Sequence, residues 1–271
     1  MRLLGSAAAR ARRLLRRIRL EWLLLDDSVY APSPPRACSP SDVARWNTEW
    51  LDYLGREWSH QLAPHTEWPL RPELPDRALD LLDLELRPAW PLHLYCPRES
   101  LLGRRVMELG CGCGSIGKLL GRYVDHYLGT DYSTLALQVA RLVSPANCTY
   151  VHVADQAALG RFHGTIDTVV SRHFWIHQNL QLARWNLEFL ELFVAPGGRL
   201  YADFFWPDPD KEQFIVRSPD EALSERWPSA MFQYEPRHLH AWIAGRPFRL
   251  ISEEISIPMQ RRYVVLERLA V

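Results

Sequence analysis

Glu108-Leu109-Gly110-Cys111-Gly112-Cys113-Gly114 follows the short apolar run Arg105-Val106-Met107 and leads into Ser115-Ile116-Gly117-Lys118-Leu119-Leu120. This reads as a strand, a glycine loop and a helix in direct succession. Glycines at 110, 112 and 114 let the chain turn sharply and let the backbone come close to a ligand. The helix start beyond them offers backbone N–H groups without intrahelical partners, suited to a phosphate or a carboxylate. Two cofactor patterns fit the loop. Gly112-Cys113-Gly114-Ser115-Ile116-Gly117 matches the dinucleotide form G-x-G-x-x-G. The glycine series begins earlier, however, at Gly110 behind Glu108, where that form requires nothing.

Downstream the apolar runs alternate with helical stretches. Strands are expected at 126–131, 149–155, 166–171 and 199–205, with helices at about 115–124, 133–143 and 178–194. That alternation implies a parallel sheet with helices on both faces. The chain ends differently. A helix is expected over 238–244, then two strands at 248–257 and 262–268, separated by Pro258-Met259-Gln260-Arg261. Four residues are too few for a helical crossover, so this pair must be antiparallel. The expected fold is α/β, with a doubly wound, mostly parallel seven-stranded sheet, a C-terminal antiparallel hairpin and an N-terminal helical extension. The expected organisation is a basic amphipathic helix over 1–25, a Pro- and Trp-rich extension or lid over 26–100, and a Rossmann-like domain over 101–271.

Further polar residues sit where ligands bind in such sheets. Asp131 ends the second strand, nineteen residues after Gly112, and could accept ribose hydroxyls; either cofactor pattern would have an acid there. Asp155 ends the third expected strand. His173 and His177 follow the fourth, at the edge where open α/β sheets take their ligands. They are the residues suited to general-base work, against the plainer role of fixing the loop. His238 and His240 are weaker candidates on a later helix.

Glu108 with Gly110, Gly112 and Gly114, Asp131 within Leu-Gly-Thr-Asp-Tyr-Ser, Ala154-Asp155-Gln156, Val169 to His177, and Leu192 to Leu200 together resemble the class I S-adenosylmethionine-dependent methyltransferases, in their small-molecule form. The resemblance covers about 104–271; the first hundred residues match no pattern. It implies that the backbone from Gly110 through Cys111 to Gly114, with Glu108, faces the methionine portion of S-adenosylmethionine. It further implies that Asp131, with Tyr132 beside it, accepts the ribose hydroxyls, that Asp155 and Gln156 meet the adenine, and that Ser171 lies near the sulfonium. The implied product is S-adenosylhomocysteine. The reaction is methyl transfer to oxygen, or nitrogen, of a small-molecule or lipid- or glycan-type acceptor. The alternatives are an NAD(P)-dependent oxidoreductase and a cofactor-binding scaffold without turnover. No Tyr-x-x-x-Lys pair supports the oxidoreductase.

Composition narrows the partners. The 271 residues carry no net charge, but residues 1–20 hold seven arginines and no acid. The other 251 therefore hold 25 basic and 32 acidic residues, a net of −7. So acidic a body is a poor match for a phosphate backbone, and no nucleic-acid partner is expected. Leu4, Ala8, Ala11, Leu15, Ile18, Trp22 and Leu25 fall on one helical face. Such a basic helix fits the surface of an anionic membrane, a targeting segment or a docking helix. No apolar run reaches the roughly 18 residues of a membrane span. The five cysteines form no disulfide framework, so a reducing, cytoplasmic setting with peripheral membrane contact is the expectation. Cys111 and Cys113 lack a second pair at zinc spacing, and no metal is expected.

Overall fold

The computed structural model of the chain describes residues 44–51, 96–207, 216–222 and 231–270. The expected basic helix of 1–25 and most of the Pro- and Trp-rich stretch lie outside them.

Seven strands form one sheet. They are β1 (Arg105–Leu109), β2 (His126–Asp131), β3 (Cys148–His152), β4 (Ile166–Ser171), β5 (Val194–Phe205), β8 (Phe248–Ser256) and β9 (Arg261–Arg268). Their order is β3-β2-β1-β4-β5-β9-β8. The first five pair in parallel, and β9 lies antiparallel between β5 and β8. A short parallel pair, β6 (Val216–Arg217) with β7 (Met231–Phe232), lies apart. The strand order reverses between β1 and β4, which opens a crevice at their C-terminal ends.

Successive side chains leave a strand on opposite faces, and the core follows that alternation. Met107, Val169, Leu200 and Val264 join one buried cluster. Their neighbours Val106, Val170, Tyr201 and Tyr263 join another on the opposite face. Helices cover both. α1 spans 44–51, and α2 (Gly117–Leu120) continues into a 3-10 turn. α3 is Thr134–Val143, α4 Gln156–Leu159, α5 Leu180–Glu191 and α6 Pro236–Ile243. Ser133 and Asn179 cap α3 and α5 by accepting N–H bonds from Ala136 and Leu182. Trp175 and Trp242, both fully buried, pack edge to face at 4.9 Å and lock the turn after β4 against α6.

Several bounds differ from expectation: α5 runs Leu180–Glu191 rather than over 178–194, β5 starts at Val194 rather than 199, and α2 and β3 are shorter. α2 begins at Gly117 rather than 115, with the turn of the glycine loop running on through Ile116. β3 stops at His152. There the Asp155 N–H bonds back to the His152 carbonyl, and Asp155 becomes the N-cap of α4. Asp155 therefore does not close the third strand.

Candidate active site

A cavity of about 310 Å³ opens over the C-terminal ends of β1, β2 and β4. That is within the size range of small-molecule sites. Its floor is Glu108 and the loop Gly110–Gly112, with Ser115 beyond. One wall is Asp131 and Tyr132 from the end of β2; another is Arg172, His173, Phe174 and His177 from the turn after β4. The roof is α1, which contributes Trp46, Glu49 and Trp50.

Asp131 ties this arrangement together. Its carboxylate accepts N–H bonds from Gly112 and Ser133, each at 2.8 Å, and so clamps the glycine loop to the start of α3. Burial pushes its carboxyl up to about 6, against the pull of those backbone donors. A carboxylate has about four acceptor positions, so positions remain for hydroxyl groups of a ligand. Asn47 of α1 fastens the roof to the same corner. Its Oδ1 accepts from the Ser133 hydroxyl at 2.8 Å, and its Nδ2 donates to Thr134 Oγ1 at 3.1 Å.

Glu108 is buried beneath the loop and accepts a hydrogen bond from the Tyr127 hydroxyl. Burial pushes its carboxyl up to about 8; the Tyr127 bond and the Arg172 charge pull the other way. The loop glycines serve closure as well as turning. Gly110 has φ +75° and Gly112 φ +51°. A Cβ at Gly112 would lie 2.3 Å from the Trp50 ring, and one at Gly110 would lie 2.3 Å from Phe174. Aromatic rings thus seal both sides of the loop. The Phe174 ring stacks on Tyr132, whose hydroxyl donates to Asn186 at 3.0 Å. Cys111 is buried, and its thiol points to the Gly112 carbonyl.

His173 takes the left-handed backbone conformation, φ 59°, uncommon without glycine. Asp203 of β5 holds it there, accepting the His173 N–H at Oδ1, 2.9 Å away. The other oxygen, Oδ2, pairs with Arg261 Nε of β9 at 3.2 Å, and both side chains are almost fully buried. Burial, with Arg172, Arg261 and His177 nearby, holds the His173 imidazole well below the usual histidine value, hence neutral. His177 lies edge-on to Trp46 at 5.7 Å.

The structure thus brings together Glu108, Gly110, Cys111, Gly112, Asp131, Tyr132, His173 and His177, with Gly114 completing the loop. Three further expected contacts lie outside the lining of this cavity. Ser171 is fully buried and accepts from the Trp175 indole, so it supports the turn from behind the cavity. Asp155 accepts the Ala158 N–H at 3.0 Å, and Gln156 donates to the Val153 carbonyl at 3.0 Å. Short polar side chains readily bond to their own backbone in this way, and neither residue lines the cavity. His238 caps α6, accepting the Glu235 N–H at 3.0 Å.

The residues present fit an adenosyl amino acid. A buried acid lies under the glycine loop, a second acid at the end of β2 has acceptor capacity to spare, and aromatic rings wall the space. A family model described as a methyltransferase domain matches residues 107–202. The chain is 32% identical over 118 residues to the ribosomal RNA small subunit methyltransferase C of Hahella chejuensis, covering 41% of this chain and 34% of that protein. It is 32% identical over 122 residues to the ubiquinone biosynthesis O-methyltransferase of Paraburkholderia xenovorans, covering 41% and 52%. The chain thus spans between a third and about half the length of these curated relatives. A SAM-dependent methyltransferase structure from Anabaena variabilis superimposes with a TM-score of 0.51 at 13% identity, covering 87% of this chain and 98% of that one. Residues 107–202 thus match a methyltransferase domain, and the strand order and glycine loop around them are those of the Rossmann-like methyltransferase fold.

Proposed function

We propose that this chain methylates an oxygen, or a nitrogen, of a small-molecule acceptor, with S-adenosylmethionine as donor. One observation carries the reading. One cavity holds Glu108, Gly110, Gly112 and Asp131 on one side and His173 and His177 on the other. The first group would hold the cofactor and the second would face the acceptor. When bound, the cofactor supplies an electrophilic methyl carbon on a positively charged sulfur.

The chain's own residues supply position and proton handling. Asp131 accepts the ribose hydroxyls on the acceptor positions left by Gly112 and Ser133. Glu108 lies under the amino-acid end, where a cation favours its ionised form. α1 closes the space from above and excludes water, so that alignment supplies much of the acceleration. His173, neutral and fixed by Asp203, takes the proton of the attacking hydroxyl. Asp155, which keeps acceptor positions beyond its bond to Ala158, and Gln156 lie toward the adenine in this reading, and Ser171 supports the turn that carries His173.

The relatives include both ribosomal RNA and ubiquinone-pathway enzymes. The small size of the cavity and the net charge of −7 outside residues 1–20 favour the small molecule. The arginine-rich residues 1–20 favour an acceptor met at an anionic membrane surface in the cytoplasm; co-sedimentation with anionic but not neutral vesicles, lost on removing residues 1–25, tests this.

Labelled methyl transfer from S-adenosylmethionine into a fractionated cell extract tests the function. Label in the small-molecule or lipid fraction is expected. Label confined to RNA would replace this reading with a nucleic-acid one. Tight S-adenosylhomocysteine binding with no label anywhere would favour the scaffold.

A further inference from the structure

We propose that Arg172 selects acceptors carrying an anionic group, a carboxylate or a phosphate, which it binds beside the methylated atom and which is not itself methylated. The inference rests on the methyltransferase reading above.

Arg172 directly follows β4, lines the cavity and is half-buried. Among the described residues it makes neither an ion pair nor a hydrogen bond. Arginines elsewhere in the domain behave differently: Arg246 pairs with Glu188 and Glu191, Arg249 with Glu267, and Arg261 with Asp203.

The acids close to Arg172 are already engaged. Asp203 gives one oxygen to Arg261 and the other to the His173 N–H. Glu108 is held by Tyr127, and burial favours its protonated form. The cavity therefore holds a guanidinium that no carboxylate of the described residues contacts directly, although the Glu108 and Asp203 charges reach it. A half-buried cation is costly until a counter-charge arrives. The flat guanidinium fork offers paired donors that match a carboxylate or a phosphate.

The cofactor's own carboxylate is the other source of that chemistry. Arg172 stands beside His173 and His177 at the end of β4, and its charge also reaches Glu108, so the parallel S-adenosylhomocysteine measurement separates the two sources.

The test uses the whole chain and two variants, R172Q and R172K. Labelled S-adenosylmethionine is incubated with the small-molecule filtrate of a cell extract, and labelled product is applied to an anion exchanger at neutral pH. Binding of S-adenosylhomocysteine is measured in parallel. The wild-type product should be retained by the exchanger. R172Q should transfer about ten- to a hundred-fold less label, the scale of one lost charge-assisted contact. Its affinity for S-adenosylhomocysteine should stay within about three-fold of wild type, and R172K should recover part of the transfer.

A product that passes through the exchanger overturns the proposal. So does an R172Q protein whose S-adenosylhomocysteine affinity falls as far as its transfer, since Arg172 would then hold the cofactor's carboxylate. Absence of both label and S-adenosylhomocysteine binding in the wild type would instead remove the methyltransferase reading itself.

Discussion

Gly112 shows how much one position decides. Its left-handed φ and the Trp50 ring 2.3 Å from a would-be Cβ act together. Gly112→Ala should lose about 1–2 kcal/mol to backbone strain alone, and more to the clash. A denaturant midpoint measures the total. Adding Trp50→Ala should recover the clash portion and leave the strain. The two acids make opposite demands on pH. Glu108 titrates near 4.5 ordinarily and near 8 when folded. Between those values the folded state holds more protons than the unfolded state. Stability of the free protein should therefore be fullest below about 4.5 as far as Glu108 is concerned, and should fall as pH rises toward 8. Glu108→Gln should flatten that slope in urea titrations across the window. Asp131, raised to about 6, should accept hydroxyls less well once protonated. Affinity for S-adenosylhomocysteine should thus weaken as pH drops through 6, and Asp131→Asn should be weak at every pH.

Elements bring these residues together through a few ties across the sheet. Asp203 links the turn after β4 to β9, accepting from His173 and pairing with Arg261. Removing it strands a buried guanidinium. Asp203→Ala should cost about 3–5 kcal/mol by thermal or urea unfolding, whereas replacing both partners by apolar residues should cost much less. A loss under 1 kcal/mol for Asp203→Ala would show the pair to be solvated. The strands, their alternation and the hairpin were legible in the sequence, because a period of two and a four-residue connection leave few options. Helix bounds were less so: the turn of the glycine loop runs on to Ile116 before α2 starts, which composition does not reveal. Asp155 as the N-cap of α4 was not legible for a similar reason, since its local partners decide that role. Asp203 carried a faint signal, an acid amid the apolar run Tyr201 to Phe205, but its partner is 58 positions away.

At the scale of the whole molecule, the two ends of the chain play unequal parts in the cavity. The domain from β1 to β9 supplies floor and walls, and α1, from the first hundred residues, supplies the roof. The spacing of Trp46 and Trp50 marked a helix face in the sequence; their place over the glycine loop needed the fold. Removing residues 1–25 should leave S-adenosylhomocysteine affinity within about two-fold of the full chain, whereas Asn47→Ala, which cuts the roof's anchor to Ser133 and Thr134, should weaken it further. Because Trp46 and Trp50 line the cavity, the occupied site should report on itself. The most direct test of the account is a fluorescence titration of the full chain with S-adenosylhomocysteine, with NAD(H) titrated in parallel. The account predicts a saturable, one-to-one change in tryptophan emission with S-adenosylhomocysteine that Asp131→Ala abolishes. Saturable binding of NAD(H) with no response to S-adenosylhomocysteine would contradict it.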